Sequence, residues 1–114
     1  SVAKNLIKYF NEKYDKSLNL IGRYKNDAYY NGEAWIICSL ALCQFYMKIN
    51  ELNNKDFQEE YRLAVKLFMY IINIDQKLDL AEQYNPVTNK QKSAITLTWN
   101  YTELYFSIKY LINI

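Results

Sequence analysis

The chain of 114 residues is 51% hydrophobic, which is enough apolar material for the core of one domain or of part of a larger one. Fourteen basic and twelve acidic side chains leave a formal net charge of +2 without a long block of either sign, so nucleic-acid and anionic-membrane binding have little electrostatic support. Because the chain has no His, it lacks the usual parts of zinc sites and of Ser-His or Cys-His nucleophile systems.

The longest apolar stretch, residues 34–47, is too short to span a bilayer and is interrupted by Ser39 and Gln44. A membrane partner is therefore not predicted. Cys38 and Cys43 lie on one predicted helix at a spacing that points them in different directions. The sequence predicts two free, buried thiols.

Apolar residues at helical spacing predict an amphipathic helix over residues 2–15. Residues 19–32 are predicted to form a loop, which holds both glycines and an aromatic cluster of Tyr24, Tyr29 and Tyr30. The next segment, residues 33–50, is apolar on nearly every side. This pattern predicts a helix that is buried on more than one face.

A polar turn at residues 50–54 is predicted to lead into a helix over residues 55–74, which forms an antiparallel hairpin with the buried helix. Residues 75–98 lack periodicity, which predicts a long functional loop. A final helix is predicted to run from an N-cap at Thr98 to the C-terminus. Since no alternating strand pattern is visible, the predicted class is all-α, with both long loops at the end of the stack where a site would lie.

The first long loop carries an arginine, an acidic acceptor and aromatic side chains, namely Arg23, Asp27, Tyr29, Tyr30 and Trp35. Sugar hydroxyls suit planar bidentate partners, and sugar C–H faces stack on aromatic rings, so these residue types fit a carbohydrate site. They equally fit an ion pair that braces a loop whose aromatic side chains fill the core.

In the second long loop, Glu82 lies between an apolar pair and a tyrosine. This setting suits a carboxylate at a partly desolvated cleft. A solvated loop glutamate is the alternative, and local composition leaves both open.

Two blocks of sequence resemble the glucoamylase family in their order and spacing. The family pattern Gly-Arg-Tyr-Pro-Glu-Asp-x-Tyr is matched from Gly22 by Gly-Arg-Tyr-Lys-Asn-Asp-Ala-Tyr, and Gly-Asn-Pro-Trp by Gly-Glu-Ala-Trp ending at Trp35. The later family pattern Ser-Glu-Gln-Tyr/Phe-Asp is matched by Ala-Glu-Gln-Tyr-Asn from Ala81. The pattern that follows it, Leu-Ser-Ala-x-x-Leu-Thr-Trp-Ser-Tyr, is matched by Lys-Ser-Ala-Ile-Thr-Leu-Thr-Trp-Asn-Tyr ending at Tyr101. The resemblance extends from about residue 20 to the C-terminus.

The resemblance implies that residues 1–114, with no second domain, form the C-terminal portion of an (α/α)6 toroid built from helical hairpins. The remaining N-terminal part of that catalytic domain would be a partner. The implied activity is hydrolysis, with inversion, of terminal α-1,4-linked and more slowly α-1,6-linked glucose from the non-reducing ends of starch, glycogen or maltooligosaccharides. Glu82 falls on the general base, while the general acid would lie outside this chain.

The resemblance also assigns the substrate-binding residues. Arg23 and Asp27 fall on residues that hold the terminal glucose, and the pocket wall would be lined or supported by Tyr29, Tyr30, Trp35 and Trp99. This chemistry needs no metal and no organic cofactor. By family, a secreted or vacuolar/lysosomal location is favoured.

The sequence departs from the family pattern at two places. Lys25 and Asn26 stand where the family has Pro and Glu, and the loss of that proline is expected to loosen the loop. Glu33 and Ala34 stand where the family has Asn and Pro, and Glu33 is expected to add a carboxylate near the sugar-facing end. Asn100 begins a glycosylation sequon, but its place at the start of a packed helix beside the site argues against its use.

Two other functions are compatible with the sequence. One is a catalytically inactive glucoamylase-like carbohydrate-binding or regulatory domain, which would have no need of the base at Glu82. The other is an unrelated helical interaction domain, whose apolar surface would bind protein rather than sugar.

Overall fold

The structure, a computed structural model, describes residues 2–16, 18–52, 58–75, 77–94 and 98–112. Within these ranges the chain is mostly helical, with the helices α1 (Val2–Tyr14), α2 (Ile36–Leu52), α3 (Gln58–Ile72) and α4 (Thr98–Ile112). The loops contain a 3-10 turn (Tyr29–Gly32) and the strands β1 (Ala34–Trp35), β2 (Gln83–Asn85) and β3 (Lys90–Lys92). None of the described helices is long and apolar enough to cross a membrane.

Helix α2 is the centre of the fold, because both α3 and α4 pack against it. Ile36, Leu40, Cys43 and Met47 are fully buried along one of its faces, and Leu42 is buried on a different side of the helix. Burial of such side chains stabilises the fold by about 1.5–3 kcal/mol each. The prediction of a helix buried on more than one face is confirmed. Both cysteines are free, as predicted, but only Cys43 is fully buried, whereas Cys38 is half-buried.

The predicted boundaries of α2 are wrong at both ends. The helix begins at Ile36 rather than Glu33, because the N–H groups of Trp35 and Ile36 donate to Ile21 O (2.9 Å) and Glu82 O (3.1 Å) outside the helix. At the other end α2 continues to Leu52, where the turn was expected to have begun. The rest of that turn and the expected start of the next helix fall on residues 53–57, outside the described ranges.

The predicted all-α class is compatible with this mostly helical chain, but the loops also contain a short three-stranded sheet that the sequence did not predict. Strand β2 lies between β1 and β3 and is antiparallel to both, with the register pairs Ala34↔Tyr84, Trp35↔Gln83, Gln83↔Lys92, Tyr84↔Gln91 and Asn85↔Lys90. Each strand has only two or three residues, so the alternation of apolar and polar residues has no length in which to show. The sheet joins the two long loops, and their predicted proximity is confirmed.

Both glycines are required by the shape of the first loop. A Cβ atom on Gly22 would lie 2.6 Å from Phe10 Cζ and 2.9 Å from Glu33 O. Gly32 has a φ of +61°, and a Cβ atom there would collide with the carbonyl oxygen of Asp27. The loop therefore folds back on itself more tightly than any other residue type allows.

We expect Gly32→Ala to lower the free energy of unfolding by about 1–3 kcal/mol, since it adds left-handed backbone strain to a steric collision. Urea unfolding followed by far-UV circular dichroism measures the change. A smaller loss is expected for Ala28→Gly, an exposed position of the same loop with a φ of −92°. Equal losses in the two variants would contradict the collision as the cause.

Candidate functional site

The centre of the first loop is an ion pair between Arg23 and Asp27. Arg23 Nε lies 2.8 Å from Asp27 Oδ2, and Nη2 lies 3.0 Å from Oδ1. The Tyr29 N–H also donates to Oδ1, at 3.1 Å. The hydrogen bonds from Arg23 hold the pKa of the Asp27 carboxyl below its usual 3.8, so the pair stays ionised at neutral and mildly acidic pH.

Three aromatic rings surround the Arg23 guanidinium. Its central carbon lies 4.7 Å from the ring centroid of Trp35, 5.2 Å from that of Tyr29 and 5.3 Å from that of Tyr24. Cation–π attraction to these rings holds the guanidinium plane in place. The hydrogen bond to Asp27 contributes most to raising the pKa of Arg23, and the charge of Glu82 contributes a weaker attraction.

Glu82 is fixed by its backbone on both sides. Its carbonyl accepts a hydrogen bond from the Ile36 N–H at the first residue of α2, and its N–H donates to Ala94 O at 2.8 Å. Its half-buried carboxylate accepts a hydrogen bond from Ser93, with Ser93 Oγ 2.6 Å from Oε1. Among the described residues, nothing donates to Oε2.

The hydroxyl of Ser93 connects the two loops at the carboxylate. Tyr29 Oη lies 3.4 Å from Ser93 Oγ. Because Ser93 gives its proton to Glu82, Tyr29 is the donor in this second contact. Ser93 has a φ of +68°, a left-handed conformation that is costly for Ser and that is often found where a side chain is held for function.

Glu33 does not offer a carboxylate at the surface beside Arg23 and Glu82, contrary to expectation. It is only 3% exposed, and its carboxylate accepts hydrogen bonds from Tyr14 Oη (2.9 Å), Asn85 Nδ2 (2.9 Å) and Lys92 Nζ (3.2 Å). These partners come from α1, β2 and β3. Glu33 is thus an internal connection between the first loop, the sheet and α1.

The start of α4 carries another predicted site residue, Trp99, and the predicted glycosylation sequon. Trp99 is 64% exposed on the first turn of α4. The next residue, Asn100, is buried and donates from Nδ2 to Leu80 O (3.0 Å) and Ala81 O (2.7 Å). Asn100 therefore fixes the start of α4 beside Glu82, and its amide is not accessible for glycosylation. The side chain of Tyr30 lies outside the described part of the structure.

Several buried polar atoms near Glu82 have no hydrogen-bond partner within the described ranges. They are Trp35 Nε1 and both amide atoms of Gln83, which belong to paired residues of β1 and β2, together with Asn100 Oδ1. Unsatisfied buried groups are costly and uncommon in proteins. These residues lie in β1, β2 and the first turn of α4, the elements that position Glu82, so the loss of stability falls there.

The structure thus brings Arg23, Asp27, Tyr29, Trp35 and Glu82 into one region.

Protein-family models, curated proteins and solved structures were each searched, and none matches this chain. In the described part of the chain, no group of three or more His, Cys, Asp or Glu side chains could hold a metal ion.

Sequence reasoning missed the roles of two polar residues. Ser93 lies within the second family-like block, so the block itself was a signal for it. The pairing of Glu33 with Lys92 left no such signal, because it spans 59 positions of sequence.

We expect Lys92→Met to lower the free energy of unfolding by about 1–3 kcal/mol, because it leaves the buried Glu33 carboxylate with fewer donors. The Glu33→Gln, Lys92→Met double mutant should recover part of that loss, with a coupling energy of about 1 kcal/mol. Urea unfolding of the four proteins of the cycle measures it. Lys90→Met, at an exposed lysine on the same strand, should have little effect, and an equal loss there would contradict the pairing.

Proposed function

We propose that this protein is a glucoamylase-like inverting glycoside hydrolase with Glu82 as its general base. It would release terminal α-1,4-linked and more slowly α-1,6-linked glucose from non-reducing ends of α-glucans. The observation that carries the proposal is a half-buried carboxylate with one oxygen held by Ser93 and the other without a donor among the described residues. It lies in the same region as an arginine clamp surrounded by aromatic rings.

The Glu82 carboxylate has the features that a general base for water needs. The hydrogen bond from Ser93 fixes the plane of the carboxylate through Oε1, and Oε2 remains available to accept a proton from water. In an inverting reaction, that water attacks the anomeric carbon while an acid protonates the leaving oxygen on the other face. The proton of the water moves to Glu82, and its oxygen forms the new bond to carbon.

The general acid of this reaction would be contributed from outside the chain. Asp27 is unsuited to the role, since Arg23 keeps its pKa low and the carboxyl ionised. Glu33 is unsuited because it is buried and accepts three hydrogen bonds from Tyr14, Asn85 and Lys92. The carboxyl groups of an inverting pair are usually about 6.5–9.5 Å apart, so the acid would face Glu82 across the sugar.

Arg23 retains hydrogen-bonding capacity for a substrate. Its Nε and Nη2 atoms bind Asp27, which leaves the Nη1 donors for sugar hydroxyls. Asp27 fixes the direction of these donors, because a bidentate pair allows little rotation. The exposed ring of Tyr29 would contact the sugar C–H face.

Further walls would come from the other hairpins of a toroid. Glu82 is not in the lining of the four hollows that lie along α1, α2 and α3. Helix α4 buries Asn100, Leu104 and Ser107 but exposes large apolar side chains, namely Trp99, Tyr105, Phe106 and Ile108. An apolar helix face of this kind is what a neighbouring hairpin would cover.

The first test is hydrolysis of maltoheptaose by the protein that carries this chain within its complete catalytic domain. Glu82→Gln keeps the shape of the side chain but removes the base, so we expect kcat to fall about 10²–10⁴-fold with KM changed only slightly. Product anomers are read by ¹H NMR, and the wild type should release β-glucose. Glu59→Gln, at an exposed glutamate of α3, is the matched control.

Other outcomes of this test identify the alternatives. A wild-type protein that binds maltoheptaose without hydrolysing it would be an inactive carbohydrate-binding relative. Release of α-glucose would contradict inversion. A protein with neither binding nor hydrolysis would contradict the whole proposal.

Ser93 can be tested separately, because its hydroxyl and its backbone conformation have different effects. Ser93→Ala and Ser93→Gly both remove the donor to Glu82, so we expect both to lower kcat about tenfold, the loss of one oriented hydrogen bond. Only Gly relieves the left-handed strain, so the free energy of unfolding of Ser93→Gly should be about 1 kcal/mol higher than that of Ser93→Ala. If kcat followed stability across the two variants, the role of the hydroxyl would be disproved.

A further inference from the structure

A groove on the outer side of α3 is separate from the Glu82 site. It consists of two adjoining hollows of about 310 and 300 Å³ that share Tyr70 and Asn73 in their lining. Each is at the lower end of the range of roughly 300–1,000 Å³ for small-molecule sites. We call it the Tyr70 groove, with a polar half at Tyr84 and Asn89 and an apolar half at Leu63 and Met69.

The polar half is organised by a chain of hydroxyl groups. Tyr84 Oη donates to Asn89 Oδ1 at 2.9 Å, so in the contact at 3.1 Å between the two tyrosine hydroxyls Tyr70 is the donor. Asn73 Nδ2 donates to Met69 O at 2.7 Å. Asn89 Nδ2 and Asn73 Oδ1 are left without partners among the described residues and are available to a ligand as a donor and an acceptor.

The turn between β2 and β3 holds Asn89 in this position. Asn89 has a φ of +58°, and its N–H donates to Asn85 O at 2.8 Å. Asn85 Oδ1 accepts hydrogen bonds from the N–H groups of Val87 (2.8 Å) and Thr88 (3.1 Å). Since Asn85 is itself bonded to the buried Glu33, the donor of Asn89 is part of a fixed framework.

The chemistry of the lining selects the class of ligand. The polar half is lined by Tyr, Asn and Ile side chains, and the charged side chain among the lining residues, Lys66, belongs to the apolar half. A phosphate or a carboxylate bound at Asn89 would therefore find no counter-charge within its own hollow. The hydroxyl of Tyr70 is neutral at physiological pH, and burial raises its pKa further above the usual 10. The apolar half offers the exposed side chains of Leu63 and Met69, which suit the C–H faces of sugar rings rather than their hydroxyls.

We propose that the Tyr70 groove is a second, non-catalytic binding site for a neutral oligosaccharide, with one sugar ring in each hollow. Asn89 Nδ2 and Asn73 Oδ1 bind hydroxyls of the ring in the polar half. This site does not depend on Glu82 being a catalytic base, since none of its residues belongs to the Arg23–Glu82 region.

The test is a titration of the ¹⁵N-labelled 114-residue chain with maltoheptaose, followed by amide chemical shifts. The reporters are Tyr70, Asn73 and Ile74, which lie on α3 or just beyond it and outside both long-loop blocks that carry the candidate active site. We expect their shifts to change and saturate. Asn73→Leu and Asn89→Gly should each weaken the saturating binding about three- to tenfold, the effect of one lost hydrogen bond.

Two control variants make the result specific. Asn5→Leu, at an exposed asparagine of α1 outside both hollows, should bind as the wild type does. Glu82→Gln should leave the α3 shifts unchanged, so a failure of the hydrolase proposal and a failure of the groove give different results. Thermal unfolding of each variant confirms that it is folded.

The proposal is overturned if maltoheptaose shifts only amides of residues 22–35, 82–83 and 91–94, outside the groove, or if it shifts none at millimolar concentration. Equal weakening by Asn5→Leu and Asn73→Leu would also overturn it, because the effect would then not belong to the groove.

Discussion

Two backbone hydrogen bonds of Glu82 hold the two long loops and the central helix together. Its carbonyl accepts a hydrogen bond from the first residue of α2, and its N–H donates to Ala94, just beyond β3. The β1–β2 pairing that follows aligns Trp35 with Gln83, and this alignment brings the aromatic rings of the first loop to the carboxylate. Loss of this pairing would separate Arg23 and Asp27 from Glu82 even if all four helices remained.

Buried polar groups attach the loops to the helices, in addition to core side chains of the loops such as Leu20 and Leu80. Ser39 of α2 accepts from the N–H of Ile21 and donates to its carbonyl, Glu33 bonds to α1 and the sheet, and Asn100 caps the loop carbonyls of Leu80 and Ala81. Loops carry backbone groups that burial would leave unsatisfied, so such partners are necessary. Ser93 is in a left-handed conformation, and the Gln83 amide has no hydrogen-bond partner in the part of the chain that the structure describes. Both features cost stability next to Glu82.

The sequence was most informative where a pattern repeats over several helical turns. The apolar positions of α1, α2 and α4 predicted those helices, and the two non-periodic segments predicted the loops. The sheet could not be predicted, because strands of two or three residues show no period. The chemistry of Arg23 with Asp27 was visible locally, whereas the partners of Glu33 come from distant segments that only the fold brings together.

The two tryptophans differ in their exposure to solvent, which has a spectroscopic consequence. Trp35 is 8% exposed beside the Arg23 guanidinium, whereas Trp99 is 64% exposed at the start of α4. The chain has only these two tryptophans, so its intrinsic fluorescence is the sum of a shielded emitter and a solvated one. A soluble quencher such as acrylamide would reach Trp99 first, and whatever covers α4 would appear as protection of that component alone.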